Sequence, residues 1–375
     1  MTRLGILGGG QLAQLMTQAA VSLGIETAVF DRYVDSPASR LTHFEVAGSW
    51  DNSGLLQAFA AMCNVVTLEN EFIDAHILRK LEEDGLQVFP TSETLASIQD
   101  KLVQKRRFEV VGLPVPRFRA VETPRDVLQA AEEYGWPLLL KARRNGYDGK
   151  GNTTLRNQGE LAINWEGVAA GGRLLMAEAF VPFVKELAVM VVRGRDGEIR
   201  TYPIVETVQE EHICRVVRAP APIPDDVAER AAEIAIRAVD VIEGVGVFGV
   251  ELFALDSGDI LINEIAPRPH NSGHYSIEAC VTSQFENHIR AVLGLPLGAT
   301  DIRFPAAVMV NLLGKRDGSS QDDIARALTV PGAHLHIYGK REVRRGRKMG
   351  HVTALGMTLD EAEAIAQQAA DLVEF

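Results

Sequence analysis

Cysteine is scarce in this chain. Cys63, Cys214 and Cys280 stand far apart, with no CxxC pair. That excludes a disulfide framework and a thiolate zinc site, and it predicts a reducing, cytoplasmic setting. Excess positive charge is missing too: 38 Lys and Arg stand against 50 Asp and Glu, a formal net charge of −12. A nonspecific nucleic-acid or anionic-membrane binder is therefore not expected. No stretch approaches the ~20 apolar residues of a membrane span. The N-terminus enters an apolar strand almost at once, so no signal peptide is expected. Internal repeats, low-complexity runs and the GxxxxGK[ST] phosphate loop are absent. What remains is 375 residues, 46% apolar and 23% charged, enough for two or three globular domains.

The first third alternates strand and helix. Arg3–Leu7 is a short apolar strand, Gly8-Gly9-Gly10-Gln11-Leu12-Ala13 turns into a helix, and a second strand ends at Asp31. Further strands are expected at Val65–Leu68 and Gln87–Pro90, with helices at Ser53–Met62 and Asp74–Glu83. This is a Rossmann-like α/β pattern with a parallel sheet. Backbone N–H groups at such a helix start hold phosphates of many kinds, or none, so a nicotinamide-dependent oxidoreductase is one reading. Glu69 and Glu71 follow the third strand at its carboxyl end, where open α/β sheets bind ligands. Taken singly, each reads better as a surface loop charge; together they are candidates to face a substrate.

The pattern then becomes α+β. A helix over Ser92–Val111 carries Lys101 and Lys105. Leu138–Lys141 is a strand ending on lysine, followed by the basic, glycine-rich loop Arg143 to Asn152. Glycine permits close backbone approach to phosphate oxygens, and such a loop suits a lid over a polyphosphate. Arg173–Val181 reads as a strand running into a connector, with Glu186 opening the next strand.

The stretch Glu251–His274 is the most informative. Val247–Leu255 and Ile260–Ile265 are strands joined by Asp256-Ser257-Gly258-Asp259, which is turn chemistry. A turn symmetric about Ser257-Gly258 places Glu251 directly opposite Glu264. Facing carboxylates repel unless a cation lies between them, and Mg²⁺ shares carboxylates with substrate phosphates. A one-residue difference in register leaves one of them in solvent instead. Pro267–His274 follows as a shaped polar loop with Arg268, His270 and His274. Near the end, Arg341–Lys348 is a basic patch in an acidic chain, either a solvated turn or an anion site.

These motifs, in this order, resemble the ATP-grasp enzymes. More narrowly, Gly8–Leu12, Tyr147–Gly151, Asn263–His274 and Gly346–His351 resemble the 5-(carboxyamino)imidazole ribonucleotide synthetases over nearly the whole chain. The resemblance implies an ATP- and bicarbonate-dependent carboxylation of 5-aminoimidazole ribonucleotide through carboxyphosphate. It implies a Rossmann-like domain over 1–95, an ATP-grasp domain over 96–298 with a mobile lid lobe at about 112–207, and a small β-rich domain over 299–375. It places ATP on Lys101, Lys141, Gly146, Tyr147, Asp148, Gly149, Lys150, Gly151, Glu178, Ala179, Phe180, Val181, Glu186, Gln209, Asn263 and Glu264. Mg²⁺ falls to Glu251 and Glu264. Substrate falls to Gly10, Gln11, Leu12, Glu69, Asp148, Lys150, Asn271, Ser272, Arg344, Arg347 and Lys348. Arg268, His270, Tyr147 and Lys348 are the implied catalytic set.

The chain departs from the family pattern in two places. Gln209 stands where a His is frequent, with His212 nearby, and Lys101 stands where an Arg can occur. The resemblance also implies a homodimer. Alternatives are another ATP-grasp enzyme (biotin carboxylase-like, or a formate-dependent glycinamide ribonucleotide transformylase), the oxidoreductase named above, or a non-catalytic nucleotide-binding regulator.

Overall fold

A computed structural model of the chain describes residues 2–146, 151–170, 172–319 and 324–375. The N-terminal alternation forms a five-stranded parallel sheet. Its order is Phe44–Ala47, Glu26–Asp31, Arg3–Leu7, Val65–Leu68, Gln87–Val88. This is the doubly wound order of nucleotide-binding sheets. The helix Gln11–Ser22 buries Leu12, Leu15 and Met16 in a core shared with Phe285 and Ile289 of the helix Gln284–Leu293.

A four-stranded antiparallel sheet comes next: Phe118–Val121, Leu175–Ala179, Leu138–Ala142, Asn152–Leu155. The helix Pro124–Tyr134 covers it. Thr123 and Asp126 close a capping box at its start, and Gly135 ends it at φ 80°. This small lobe is narrower than the expected lid at about 112–207. The strands Phe183–Arg193 and Val205–Glu210 belong instead to a nine-stranded sheet. The reason is apolar content: Leu187 to Val192 are all buried, and they need cover on both faces.

That large sheet runs Ile260–Ala266, Gly246–Leu255, Phe183–Arg193, Val205–Glu210, Ile213–Ala219, Ala306–Leu313, Lys348–Gly356, Ala333–Ile337, with Ile199–Thr201 paired beside it. The C-terminal strands thus extend the central sheet, and the helix Leu359–Asp371 packs on them through Ala362, Ala366 and Ala369. The helix Asp225–Val241, absent from the sequence expectation, presents Ala231, Ala235 and Ala238, fully buried. Small residues at this spacing bring the helix close to the sheet, and a larger side chain there costs about 1–3 kcal/mol of overpacking.

One buried side chain rivets the two main sheets. His288 accepts from the Val247 N–H at Nδ1 (3.0 Å) and meets the Thr67 hydroxyl at Nε2 (2.8 Å). The strand bearing Glu251 is thereby tied to the N-terminal sheet.

Candidate active site

The hairpin Gly246–Leu255/Ile260–Ala266 does place Glu251 opposite Glu264, but not through a symmetric turn. The Gly258 N–H bonds to the Leu255 carbonyl (2.9 Å), the Leu255 N–H bonds to the Asp259 carbonyl (2.9 Å), and Gly258 sits at φ 82°. This three-residue loop, with glycine in the left-handed region, offsets the register by one. Leu252 therefore pairs with Ile262, and a bulge then absorbs Asn263 before Glu264 meets Glu251. A bulge re-aims side chains. Without it Glu264 would oppose Val250 and point to the other face. With it, Asn263 and Glu264 both serve the face of Glu251: Asn263 Nδ2 donates to Glu251 Oε2 (3.4 Å), and its Oδ1 accepts from Lys141 Nζ (3.5 Å).

Cations converge on the same face. Asp100 caps the helix Lys101–Val110 and splits it from Ser92–Gln99, where one continuous helix was expected. The Asp100 carboxylate also takes Arg143 in a bidentate pair (3.0 and 2.6 Å), tying the helix start to the end of the lysine strand. The helix then delivers Lys101 to Glu264, and Lys105, one turn on, to Glu178 Oε2 (2.8 Å) and the Asn263 carbonyl (3.0 Å). Lys141 reaches Glu178 Oε1 at 2.5 Å. Burial pushes the Glu178 carboxyl up, but Lys105 and Lys141 outweigh it and hold it at about 2. Lys101 is lowered to about 8, by burial first and then by Lys141, against the attraction of Glu251.

Glu186 lies across the same face. Burial, and then Glu251, raises its carboxyl to about 7, while a hydrogen bond from Gln209 pulls the other way. Gln209 is thus beside Glu186. His212 instead sits exposed in the two-residue turn Glu211-His212, both residues at positive φ. Between the lid sheet and the large sheet, Ala179 and Val181 are buried and Phe180 is half exposed.

The polar loop closes the site. Arg268 forms a bidentate pair with Glu71, with Nη2 to Oε1 at 2.9 Å. His270 Nε2 lies 3.3 Å from Glu251 Oε1, and its Nδ1 meets the Ser272 hydroxyl (2.8 Å) and backbone N–H (3.5 Å). An N–H donor at Nδ1 assigns the ring hydrogen to Nε2, facing Glu251. Burial, then Arg268 and Lys348, keep His270 neutral, well below the ordinary histidine range.

Several expected substrate residues also make contacts within the fold. Glu69 accepts from the Gly10 N–H (2.8 Å) and the Ala13 N–H (3.1 Å), and Asp31 from the Gly9 N–H (2.7 Å). The helix start that a dinucleotide phosphate would need is filled by the chain's own carboxylates, which argues against the oxidoreductase reading. Leu12 is buried in the N-terminal core, so its side chain is withdrawn from any ligand, while Gln11 is partly exposed. Asn271 exchanges amide bonds with Asn311 (2.9 and 2.7 Å), and Ser272 acts on His270. Arg344 turns outward to Glu342 (2.8 Å), and the Arg347 guanidinium donates to the Glu342 carbonyl (2.8 Å). Lys348 opens the strand Lys348–Gly356 and receives Lys340 on its carbonyl (2.6 Å). Gly146 and Gly151 flank the glycine loop, whose Tyr147, Asp148, Gly149 and Lys150 lie outside the described residues.

Comparison with known proteins agrees with this geometry. The ribonucleotide synthetase pre-ATP-grasp domain matches residues 1–99, the ATP-grasp domain 106–285, and the phosphoribosylaminoimidazole carboxylase C-terminal domain 307–365. An N5-carboxyaminoimidazole ribonucleotide synthase of Synechococcus elongatus is 43% identical over 353 residues, 93% of this chain and 88% of its own. The chain belongs to the N5-carboxyaminoimidazole ribonucleotide synthase family. A chloroplastic phosphoribosylaminoimidazole carboxylase of Vigna aconitifolia is likewise 43% identical, and this chain spans 65% of its length. The solved synthase of Aspergillus clavatus, in complex with ADP and 5-aminoimidazole ribonucleotide, superposes with a TM-score of 0.91 at 36% identity, covering 99% of this chain and 98% of that one. The Thermotoga maritima synthetase gives 0.88 at 40% identity, covering 100% and 99%. Like the synthases it resembles, this chain is an ATP-dependent ligase of the ATP-grasp type.

Sequence reasoning named Lys105 without giving it a role in the site, and it weighed Glu71 as a substrate contact without pairing it to Arg268. The spacing of Lys105 four residues after Lys101, on one helix face, was the available signal.

Proposed function

We propose that this synthase uses ATP and bicarbonate to carboxylate the amine of 5-aminoimidazole ribonucleotide, giving 5-(carboxyamino)imidazole ribonucleotide, ADP and phosphate in purine (IMP) biosynthesis. The observation that carries this reading is the bulged hairpin. It sets Glu251, Asn263 and Glu264 on one face, where Lys101 meets Glu264, Lys141 meets Asn263 and His270 meets Glu251.

A bicarbonate oxygen attacks the γ-phosphorus of ATP and ADP leaves. The resulting carboxyphosphate loses phosphate, and its carbon passes to the substrate amine as a proton departs. Lys101 and Lys141 offset phosphate charge, and preorganised cations of this kind are a large part of phosphoryl-transfer catalysis. Arg268, held flat by Glu71, presents its guanidinium to the carboxylate-bearing intermediate. Neutral His270 offers Nε2–H to the same anion. Glu186 accepts from the ribose hydroxyls, with Gln209 beside it. The Ala179–Val181 connector meets the adenine edge, and the loop Gly146–Gly151, including Tyr147, covers the phosphates. Gly10, Gln11, Arg347 and Lys348 flank the ribonucleotide.

Mg²⁺ fits the carboxylates of Glu251 and Glu264, which are hard oxygen donors on one face. Among the described residues no group of three or more His, Cys, Asp or Glu is poised as a complete metal cage, which suits an ion whose other ligands are phosphate oxygens and water. When bound, it neutralises charge on the β- and γ-phosphates. We also propose the division of the chain at about 95 and 298, a cytoplasmic location and a homodimer, each by analogy with the family. No described helix is long and apolar enough to cross a membrane. The reading is tested by ADP release with bicarbonate and with the ribonucleotide omitted in turn: turnover that needs both supports it.

A further inference from the structure

Beyond Ala266 the loop bearing Arg268 and His270 has left the strand, and among the described residues the ladder with Gly246–Leu255 ends at Gly249 and Ala266. One side chain from another element takes that place. Gln284, the first residue of the helix Gln284–Leu293, is fully buried. Its Oε1 accepts from the His270 N–H (2.9 Å), and its Nε2 donates to the His270 carbonyl (2.8 Å) and to His274 Nδ1 (3.1 Å). The carboxamide therefore pairs with His270 as a neighbouring strand would. Its own N–H bonds to Ser276 Oγ (3.0 Å), which donates to the Gly273 carbonyl (2.6 Å). The fit is close from both sides. A Cβ at Gly273 would stand 2.5 Å from Gln284 Oε1, and a Cβ at Gly249 would stand 2.5 Å from His270 Cβ.

We propose that Gln284 is a positioning residue for the carboxylation reaction. It locks the His270 backbone so that the Ser272 hydroxyl and N–H at Nδ1 hold the ring in one tautomer, with Nε2–H on the face shared by Glu251 and the reacting anion. This deepens the proposed function and rests on it for the role of His270. A staple that merely holds the loop to the helix would lower stability and leave the folded enzyme's chemistry alone.

Two variants separate these roles. Gln284→Met keeps bulk and removes both partners of His270. Gln284→Glu keeps the acceptor and loses the donors until it is protonated. The titratable groups facing it are His270 and His274, both held neutral by burial, with Arg268 and Lys348 the charged groups acting on them. At pH 8 both variants are expected to lose on the order of 10- to 100-fold in kcat, the scale of a small misplacement of a reacting group, with KM for ATP nearly unchanged. As pH falls toward 6, Gln284→Glu regains part of the loss, because a protonated carboxyl again donates to the His270 carbonyl, and Gln284→Met does not. Equal kcat per folded molecule at every pH overturns the proposal.

Imidazole ¹⁵N NMR reads the same claim without turnover. Wild-type His270 should show a single Nε2–H tautomer, and Gln284→Met a mixture. If the wild type releases no ribonucleotide-dependent ADP, the proposed function fails while this spectrum still decides the role of Gln284. An unchanged His270 tautomer in Gln284→Met refutes the positioning role.

Discussion

Replacing Glu178 by Gln removes the carboxylate that Lys105 and Lys141 share. Glu178 is 1% exposed, Lys105 2% and Lys141 5%, with contacts of 2.8 and 2.5 Å. Breaking a buried ion network by deleting one partner leaves the others uncompensated, at a cost of about 3–5 kcal/mol. At about 2–4 °C per kcal/mol for a domain of this size class, the unfolding midpoint falls by roughly 6–20 °C. The pH dependence has a definite sign. The folded carboxyl is depressed from its ordinary 4.5 to about 2, because the two lysines outweigh burial. Its contribution is complete above the ordinary value and is lost as pH falls through the folded one, so the gap between variant and wild type narrows in acid. ATP supplies negative charge beside Lys141 and should raise the variant's midpoint more than the wild type's. Thermal unfolding at pH 7.5 and pH 3, with and without ATP, measures all three effects. A variant within about 1 kcal/mol of wild type at pH 7.5, with no larger ATP shift, refutes the reasoning.

Glu264→Gln should lower kcat on the order of 10²–10³-fold, as loss of one preorganised electrostatic group does, with the unfolding midpoint nearly unchanged; a fold-neutral variant with full turnover counts against the metal role. Glu186, raised to about 7 by burial and by Glu251, should make ATP bind more tightly as pH rises through that value, and Glu186→Gln should flatten the profile in calorimetric titrations. His288 is lowered by burial from 6.5 to about 3. The unfolded chain therefore binds a proton between those values that the folded chain does not, and stability drops as pH is lowered from 6.5 toward 3, by up to about 1.4 kcal/mol per unit. Urea midpoints at pH 7.5 and pH 5 should separate more for the wild type than for His288→Gln; equal separations exclude the rivet as their source. Gln209→His should change ATP affinity if the side chain beside Glu186 contacts the ribose, and an unchanged Kd argues that it does not.

Glu251 and Glu264 were legible as a facing pair because two offsets cancel. The sequence reading assumed a symmetric turn. The chain instead uses a three-residue loop and a bulge at Asn263, and both routes end on the same pairing. The bulge leaves no local signature, yet it is what brings Glu264 to the site, since the three-residue loop alone would pair Asn263 with Glu251. The lysine-ended strand and the helix cations were readable because they are local. The break at Asp100 was not, since its capping role depends on the chain turning there, and its side chain also serves Arg143 from a distant strand. Non-local pairing hid the rest. Nothing in the alternation of Phe183–Arg193 tells whether it joins the lid or the central sheet, nor that Ala306–Leu313 pairs with Ile213–Ala219. Glu69 shows a second role that the sequence does not carry: its carboxylate accepts from the Gly10 and Ala13 N–H groups at a helix start 56–59 residues away.

The central claim is that the hairpin face and the Arg268–His270 loop join phosphoryl transfer to carboxylation of one ribonucleotide. It is tested most directly by coupled ADP release in the presence of ATP, Mg²⁺, bicarbonate and 5-aminoimidazole ribonucleotide, with each omitted in turn and with biotin or formate substituted. The account predicts ribonucleotide-stimulated ADP release that requires bicarbonate and is indifferent to biotin and formate. ADP release that the ribonucleotide does not stimulate, or that follows formate or biotin instead, contradicts it.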